Sequence, residues 1–282
     1  MIPLDPPAAA PTPPPPPESA FVAPALQLDL VQPLVISTDR PSFSDGTGIE
    51  PFLHANLESG FTWTWRDKDD VASSRLNGPE LLARVGLIED RLEFRALWSG
   101  YVWNRVKAAG GPDVEADGGS AGWQSIDGWS DVALGLKLKA IDQTGWIPRV
   151  ALLAQTTVGG GEENVGSQEP EPVVKLLWSY GFDGGLTIGG NVNAAFPVVD
   201  GERFTQWQVS AYLSAPLFDR CTGFVEWYML APLAPDVQPA NYVDAGVLYL
   251  LNDRVQLDAR IGAGLGGDAD NFFAGAGISV LF

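Results

Sequence analysis

After residue 52, apolar and polar residues alternate along most of the chain. Between residues 53 and 65 the odd positions are mostly apolar and the even positions are mostly polar. Because successive side chains of a β-strand point to opposite faces, such a segment has one apolar and one polar face. The pattern predicts an all-β fold of twelve strands, at 53–65, 81–87, 92–102, 131–140, 150–158, 173–180, 186–194, 205–215, 223–230, 243–251, 255–263 and 272–282.

The last segment, 272–282, carries the clearest alternation. Its even positions are apolar, and the residues between them are mostly glycine or serine. About ten residues of this kind are typical of a membrane-spanning β-strand. The final Phe282 looks like the signal that barrel assembly machinery reads on outer-membrane proteins, so we predict that Phe282 is an assembly signal. The alternative is a strand of a soluble β-sandwich.

The connections between the predicted strands alternate in length. Those after even-numbered strands are short, whereas most of those after odd-numbered strands are longer, at 66–79, 103–129, 159–172, 196–204, 231–241 and 265–271. Bacterial outer-membrane barrels have an even strand number, short periplasmic turns and longer external loops. We therefore predict a single antiparallel transmembrane β-barrel over residues 52–282, located in the bacterial outer membrane and surrounded by its lipid and lipopolysaccharide.

The composition agrees with a barrel and argues against one class of partner. Charged residues make up 18% of the chain, against roughly 25% in average soluble domains. No apolar window is long enough for a transmembrane helix, so a membrane protein of this sequence must be a closed barrel. The net charge of −18 argues against nucleic acid as a partner, because its phosphates would be repelled.

Two segments precede the predicted barrel. Residues 1–36 are rich in Pro and Ala and are predicted to be a disordered arm. They show no clear signal peptide, and since a barrel needs export we expect a mature form or a misplaced start. Residues 37–51 are polar and rich in turn-forming residues. They fit either a plug, with Asp39 and Arg40 pairing to wall charges such as Arg95 or Glu93, or a plain periplasmic linker.

Strand parity predicts which charges line the lumen. If the apolar positions of each strand face lipid, the alternate positions face inward. An Arg or Lys on the lipid face near the middle of the membrane would cost about 2–4 kcal/mol. Six acids and seven bases occupy the inward positions, which gives a nearly neutral wall: Glu58, Glu93, Asp131, Glu226, Asp244 and Asp258, with Arg84, Arg95, Lys137, Lys139, Arg149, Lys175 and Arg260.

These lumen charges fit two interpretations. They form a structural network of ion pairs, since unpaired buried charge is costly, or they form a polar lining for a solute. The excess negative charge must then lie mainly in the loops and the arm. Acidic loops would attract cations near the entrance, although they are also what any soluble loop needs.

No residue pattern predicts catalysis, a cofactor or a metal site. The chain has one cysteine, Cys221, and one histidine, His54. A single cysteine excludes an intrachain disulfide, and a single histidine leaves one candidate general base. A site of carboxylates alone, from Glu58, Glu93 and Glu226, is conceivable, but no spacing marks a pair. We predict that the protein is not an enzyme.

Four blocks in order resemble a known family: 38–43 with 57–61, 82–94, 128–137, and 243–246 through 256–258 to 262–265. The family is the transporter-like outer-membrane family named "Putative MetA-pathway of phenol degradation", and the resemblance covers about residues 37–282. It implies a β-barrel that moves small molecules, and the family name implies aromatic compounds. We therefore predict a small-molecule channel or transporter. The alternatives are a structural or adhesive barrel and, with less support, an outer-membrane enzyme.

Overall fold

A computed structural model describes residues 34–68, 70–108, 123–199, 201–233 and 237–282. The predicted disordered arm, residues 1–36, therefore lies outside the described residues except for its last three positions. Strands make up most of the described chain. No helix in these ranges is long and apolar enough to cross a membrane.

The structure contains sixteen strand segments. Their bounds are β1 Ala55–Lys68, β2 Val71–Ile88, β3 Leu92–Trp98, β4 Tyr101–Ala108, β5 Gln124–Trp129, β6 Val132–Ile141, β7 Arg149–Thr157, β8 Pro172–Gly181, β9 Thr187–Ala195, β10 Val198–Val199, β11 Glu202–Arg203, β12 Gln206–Phe218, β13 Cys221–Leu230, β14 Ala240–Asn252, β15 Val255–Gly266 and β16 Phe272–Leu281.

The segments form one closed antiparallel barrel. β3 and β4 are successive halves of one strand, because β2 pairs with both, and β5 and β6 are halves of the next. The first and last strands close the sheet, with pairs from Asn56↔Leu281 to Trp65↔Phe272. Apart from the small β10–β11 hairpin, the barrel has twelve strands, which confirms the predicted fold.

The two ends of the barrel differ. At one end, here called the turn end, lie the connections 89–91, 142–148, 182–186, 219–220 and 253–254, together with the start of β1 and the end of β16. At the opposite end, the loop end, lie the last residues of β4, β7, β9, β13 and β15, after which the chain continues into the connections that start at residues 109, 158, 196, 231 and 267. The alternation of short and long connections therefore holds, apart from the first one.

The predicted first loop, 66–79, is wrong. β1 and β2 stay paired as far as Lys68↔Val71, and only residues 69–70 connect them. Asp70 has a φ of 61°, a left-handed conformation that suits a tight hairpin. Beyond the apolar band both faces of a strand meet water, so the alternation that marks a strand disappears there. The predicted loop 103–129 is shortened at both ends for the same reason.

The barrel is apolar outside and polar inside. Outward residues such as Leu136, Leu152 and Val225 are 44–52% exposed, whereas Glu58 and Lys137 are fully buried. This arrangement is the inverse of a water-soluble protein, in which charged side chains are almost never fully buried. Exposed tryptophans and other aromatics lie towards both ends of the outer face, as membrane–water interfaces favour. Examples are Trp63, Trp103, Trp207, Trp227, Trp146, Tyr249 and Phe282.

Candidate functional site in the barrel lumen

Residues 34–54, here called the inserted segment, enter the lumen from the turn end. The backbone N–H of Ile36 donates to the carbonyl of Asp253 at 2.8 Å, at the turn end. The chain then rises to about mid-height and returns, and the N–H of Leu53 donates to the carbonyl of Gly86 at 3.0 Å. Buried polar side chains mark the part inside the barrel: Asp39, Ser44, Asp45, Thr47 and Glu50.

Wall carboxylates accept the backbone hydrogen bonds of this segment. Glu58 accepts from the N–H groups of Asp39 at 3.1 Å and Arg40 at 2.8 Å. Because the inserted segment has no strand partner in the lumen, its buried backbone donors need such acceptors.

Two more carboxylates repeat this arrangement on other strands. Glu226 on β13 accepts from the N–H groups of Phe43 at 2.7 Å and Ser44 at 2.9 Å. Glu93 on β3 accepts from the N–H of Glu50 at 2.9 Å. Three wall acids therefore fix the path of the inserted segment at its entry, its highest point and its return.

Asp39 is the electrostatic centre of the segment. Its carboxylate contacts Arg95 and lies 3.0 Å from Lys137 Nζ and 3.7 Å from Arg84 Nε. Burial raises the pKa of Asp39, but the surrounding cations, Arg84 foremost, outweigh burial and hold the pKa well below its usual value. Asp39 therefore stays ionised, and its charge compensates three buried wall cations.

Arg84 on β2 lies at the middle of the ionic network. It is almost fully buried and pairs with Glu50 at 3.0 Å, Glu58 at 3.1 Å and Glu93 at 3.0 Å. Burial raises the pKa of Glu50, and the opposing pull of Arg84 offsets this only in part. Breaking a buried pair by removing one partner leaves an uncompensated charge. The network therefore joins the inserted segment to the wall.

Asp45 makes a second ionic contact further along the segment. Its oxygens lie 2.7 Å from Arg95 Nη2 and 2.6 Å from Lys175 Nζ. Burial raises the pKa of Asp45, but Lys175 and then Arg95 outweigh it, so the pKa is lowered.

The Arg40 side chain extends towards β1, β15 and β16, away from the cations around Asp39. It pairs with Glu80 at 2.5 Å and lies 3.6 Å from Asp258. Its side chain lies directly on the backbone of Gly60 and Gly277, where a Cβ atom would overlap the guanidinium. Glycine at these two positions gives Arg40 the space to reach the wall.

The other predicted lumen residues lie inside the barrel but away from the segment's ion pairs. Arg260 lies 3.8 Å from Asp244 and 5.2 Å above the ring of Phe273. Lys139 pairs with Asp142 at the turn end, at 2.6 Å.

Two predicted residues lie at the ends of the lumen. Asp131 lies between β5 and β6 and accepts from the N–H groups of Gly161 at 2.9 Å and Ser167 at 2.8 Å, which holds the 158–171 connection. Arg149 is exposed and lines a cavity near the turn end.

Sequence reasoning missed several residues of the site. Asp45, Glu50 and Glu80 were not among the predicted lumen charges, because parity applies only within a recognised strand. Aromatic contacts were missed as well, since Phe43 stacks on Tyr228 with ring centroids 4.3 Å apart. No signal in the sequence connects these residues before the path of the inserted segment is known.

Open space remains on both sides of the inserted segment. On the loop side is a cavity of about 210 Å³, lined among others by Glu80, Gln155, Lys175 and Arg260. A neighbouring space of about 280 Å³ shares Gln155 with it. On the turn side lies a cavity of about 280 Å³ that includes Arg149 and Tyr212. The polar lumen is therefore divided rather than filled throughout.

Other candidate chemistry is limited. His54 lies near the start of β1, with Nδ1 3.1 Å from the carbonyl oxygen of Phe52. Among the described residues, no group of three or more His, Cys, Asp or Glu side chains could hold a metal ion.

The sequence comparison decides the family, because residues 38–282 match one family throughout the barrel and most of the inserted segment. The chain belongs to the family described as "Putative MetA-pathway of phenol degradation". The resemblance noted from the four sequence blocks is thereby confirmed. No curated protein matches the sequence closely enough to count as a relative.

Solved structures with the same fold support the barrel architecture of this family member. An outer membrane channel from Pseudomonas putida is 12% identical in sequence, with a TM-score of 0.63. The match covers 87% of this chain and 100% of that chain. At this identity the likeness shows the fold alone.

Two further structures are less similar. The NanC porin is 9% identical with a TM-score of 0.47, over 80% of this chain and 98% of that chain. The CymD monoaromatic hydrocarbon channel is 10% identical with a TM-score of 0.44, over 83% and 88% of the two chains.

Proposed function

We propose that this protein is an outer-membrane channel for small molecules, and that the inserted segment closes the channel in the state described. The observation that carries the proposal is the way the segment is held. It divides a polar lumen, and between residues 37 and 51 every hydrogen bond or ion pair cited above involves a side chain, whereas backbone pairing with the wall is confined to the turn end, as at Phe52↔Gly86. Such contacts can be exchanged for water without opening the barrel itself.

The proposed orientation follows from the ends of the barrel. Short connections at the turn end suit the periplasm, and the longer connections at the loop end suit the cell exterior. The inserted segment would then enter from the periplasmic side. In this arrangement the assembly machinery would read Phe282 at the periplasmic end, where its N–H donates to the carbonyl of Ala55 at 2.8 Å.

Aromatic compounds are the solute class that we infer. The family name supports this class, and so does a row of rings along one wall of the lumen. Tyr228 stacks between Phe43 and Tyr242, with ring centroids 4.3 Å and 4.7 Å away. Such rings bind other aromatic rings by stacking or edge contacts. The acidic external connections would favour neutral or cationic solutes over anions.

Two truncations test the channel and its closure. Deleting residues 1–50 is expected to raise single-channel conductance in planar bilayers, because the segment leaves the lumen. Deleting residues 1–33 is the matched control, since it leaves every described contact in place, and its conductance should equal that of the full chain. Liposome swelling with neutral sugars and with small aromatic amines would then measure solute preference.

A structural barrel without transport is the second candidate. The buried network around Arg84 favours it, because such a network also stiffens a wall. Absence of conductance in the 1–50 deletion, with the protein still folded, would contradict the channel and leave the structural barrel.

A further inference from the structure

An apolar groove lies on the outer face of the barrel, where β1, β2, β4 and β16 meet. Its volume is about 770 Å³. Phe61, Trp103 and Ile278 form its walls and are 51%, 45% and 43% exposed. Ala276 contributes a small side chain to its lining. The groove faces away from the lumen, so the ionic network has no part in it.

A local irregularity of the sheet produces the groove. Gly60 pairs with Glu80 and Thr62 pairs with Asn77, so residues 78–79 of β2 lie opposite Phe61 alone. Such a bulge bends the strand and increases its twist. The break between β3 and β4 at residues 99–100 lies beside it in the sheet. Together these features leave a depression in a surface that is otherwise filled by side chains.

The groove extends along the strands towards the loop end. Ser59 pairs with Ile278 near its lower end, and Leu76 pairs with both Trp63 and Trp103 at its upper end. The five residues from Ser59 to Trp63 span about 13 Å along the strand. This length and the apolar walls suit a hydrocarbon chain lying along the barrel.

Two cations follow directly beyond the groove on the same face. Arg105 and Lys107 are exposed and alternate with Trp103 along β4, so all three side chains point outward. They lie roughly 7 and 13 Å beyond Trp103 along the strand. Trp103 belongs to the aromatic belt at the loop end, so these cations lie at the level of lipid headgroups. Two acids also lie on this face: Asp127 pairs with Trp103, and Asp67 and Lys107 both pair with Ala72 on β2. Arg105 and Lys107 are therefore the cationic part of a patch that also carries negative charge.

We propose that this surface binds lipopolysaccharide, with one acyl chain in the groove and a phosphoryl group between Arg105 and Lys107. An apolar groove that leads to two cations is complementary to a lipid with a hydrocarbon chain and an anionic headgroup. In the proposed orientation the loop end meets the outer leaflet, whose phosphorylated lipid is lipopolysaccharide. The inference rests on that orientation, and it does not require channel activity.

Titration of the detergent-purified full chain with rough-type lipopolysaccharide, followed by native mass spectrometry, tests the proposal. One bound lipid per protein is expected. The double variant Arg105→Gln, Lys107→Gln should bind about 30-fold more weakly, because each basic residue near an anionic lipid contributes a factor of about 5. Arg220→Gln, Arg254→Gln is the matched control, since these cations are exposed at the turn end, and it should bind like the unaltered chain.

A second pair of variants tests the groove itself. Ala276→Leu fills the groove and should weaken binding by at least tenfold. Ala154→Leu places the same side chain on an exposed outward position of β7, away from the groove, and should leave binding unchanged. Each variant is first checked for the heat-modifiable gel shift of a folded barrel. If Ala276→Leu does not fold, lipid binding by the double variant Arg105→Gln, Lys107→Gln decides whether the proposal stands.

Four results would overturn the proposal. Equal binding of phosphatidylglycerol would make the surface a general anionic-lipid contact. Equal binding of dephosphorylated lipid A would remove the role of the cations. Equal loss of binding in the turn-end control would show a non-specific effect of net charge. A conducting 1–50 deletion that binds no lipopolysaccharide would refute this inference while leaving the channel intact.

Discussion

On one side of the lumen, β2, β3, β6 and β8 present four cations to the inserted segment, whereas β9 and β12–β15 present mainly carboxylates, amides and hydroxyls, with Arg260 on β15 as the exception. The first side, here called the cationic wall, consists of Arg84, Arg95, Lys137 and Lys175 and binds the segment's side-chain carboxylates. The second side, the acidic wall, consists of Glu226, Asp258, Ser210 and Asn191.

The acidic wall binds mainly backbone and hydroxyl groups. Glu226 accepts two backbone N–H groups, and the hydroxyls of Ser44 and Ser210 lie 2.6 Å apart. A neutral acceptor can replace most of these contacts. The cationic wall has no such tolerance, because each buried cation there needs a carboxylate. We therefore expect the cationic wall, rather than the acidic wall, to determine whether the inserted segment stays in the lumen.

Removing Arg84 should give the largest effect. Arg84→Met leaves Glu50, Glu58 and Glu93 without their shared cation, which is expected to destabilise the folded barrel by about 3–5 kcal/mol. Urea unfolding in lipid vesicles measures the loss. Arg149→Met is the control, because Arg149 is an exposed lumen residue at the turn end. An equal loss of unfolding free energy in the two variants would show that a cation of the cationic wall contributes no more than an exposed lumen residue.

Asp39→Asn should have an intermediate effect. Hydrogen bonds to charged groups contribute about 1.5–3 kcal/mol each, so the variant is expected to release the segment and increase the open time of the channel. Bilayer recordings at pH 7 measure the open time. Asp39→Glu keeps the charge and should lie nearer the unaltered protein. An Asp39→Asn channel that stays closed would show that Asp39 does not hold the segment.

The pH dependence of closure follows from the same carboxylate. The pKa of Asp39 is depressed in the folded state, so its contribution is present above its unfolded value of about 3.9 and is lost only as the pH falls through the lower folded pKa. As the pH falls, Glu50 takes up a proton before Asp39 does, because the pKa of Glu50 is raised. Arg84 still contacts Glu58 and Glu93 after Glu50 is protonated. The unaltered channel should therefore stay closed from pH 7 to about pH 4. Opening at pH 5 would contradict this.

Glu226→Gln should have the smallest effect. The amide oxygen still accepts a backbone N–H, so we expect a loss of about 1 kcal/mol and little change in open time. The same unfolding and bilayer measurements apply. A loss as large as that of Arg84→Met would remove the difference between the two walls.

Strand parity predicted the fold because each strand separates hydrocarbon from a polar lumen. The rule works for β6, in which Lys137 and Lys139 face inward and Leu136 and Leu138 face outward. It fails for the half of β2 between 71 and 78, where the outward positions are small residues apart from Leu76. The same rule placed thirteen charges in the lumen without showing which of them meet.

Which lumen charges form ion pairs depends on the path of the inserted segment, and the sequence does not reveal this path. Asp39 and Lys137 are 98 residues apart in sequence, and no local pattern connects them. The expected contact between Asp39 and Arg95 is present, but Asp45 and Glu50 were not assigned partners, because the segment's path through the lumen is set by wall residues from many strands.

The long sequence separation of these contacts has a consequence for the order of folding. Arg40 donates to the carbonyl of Ala276, 236 residues away, at 3.2 Å. Contacts of this kind repay their loop-closure entropy only after the intervening chain is ordered. The cavity that receives the inserted segment does not exist until β1 has paired with β16. We therefore expect the segment to dock late in folding, after the barrel has closed.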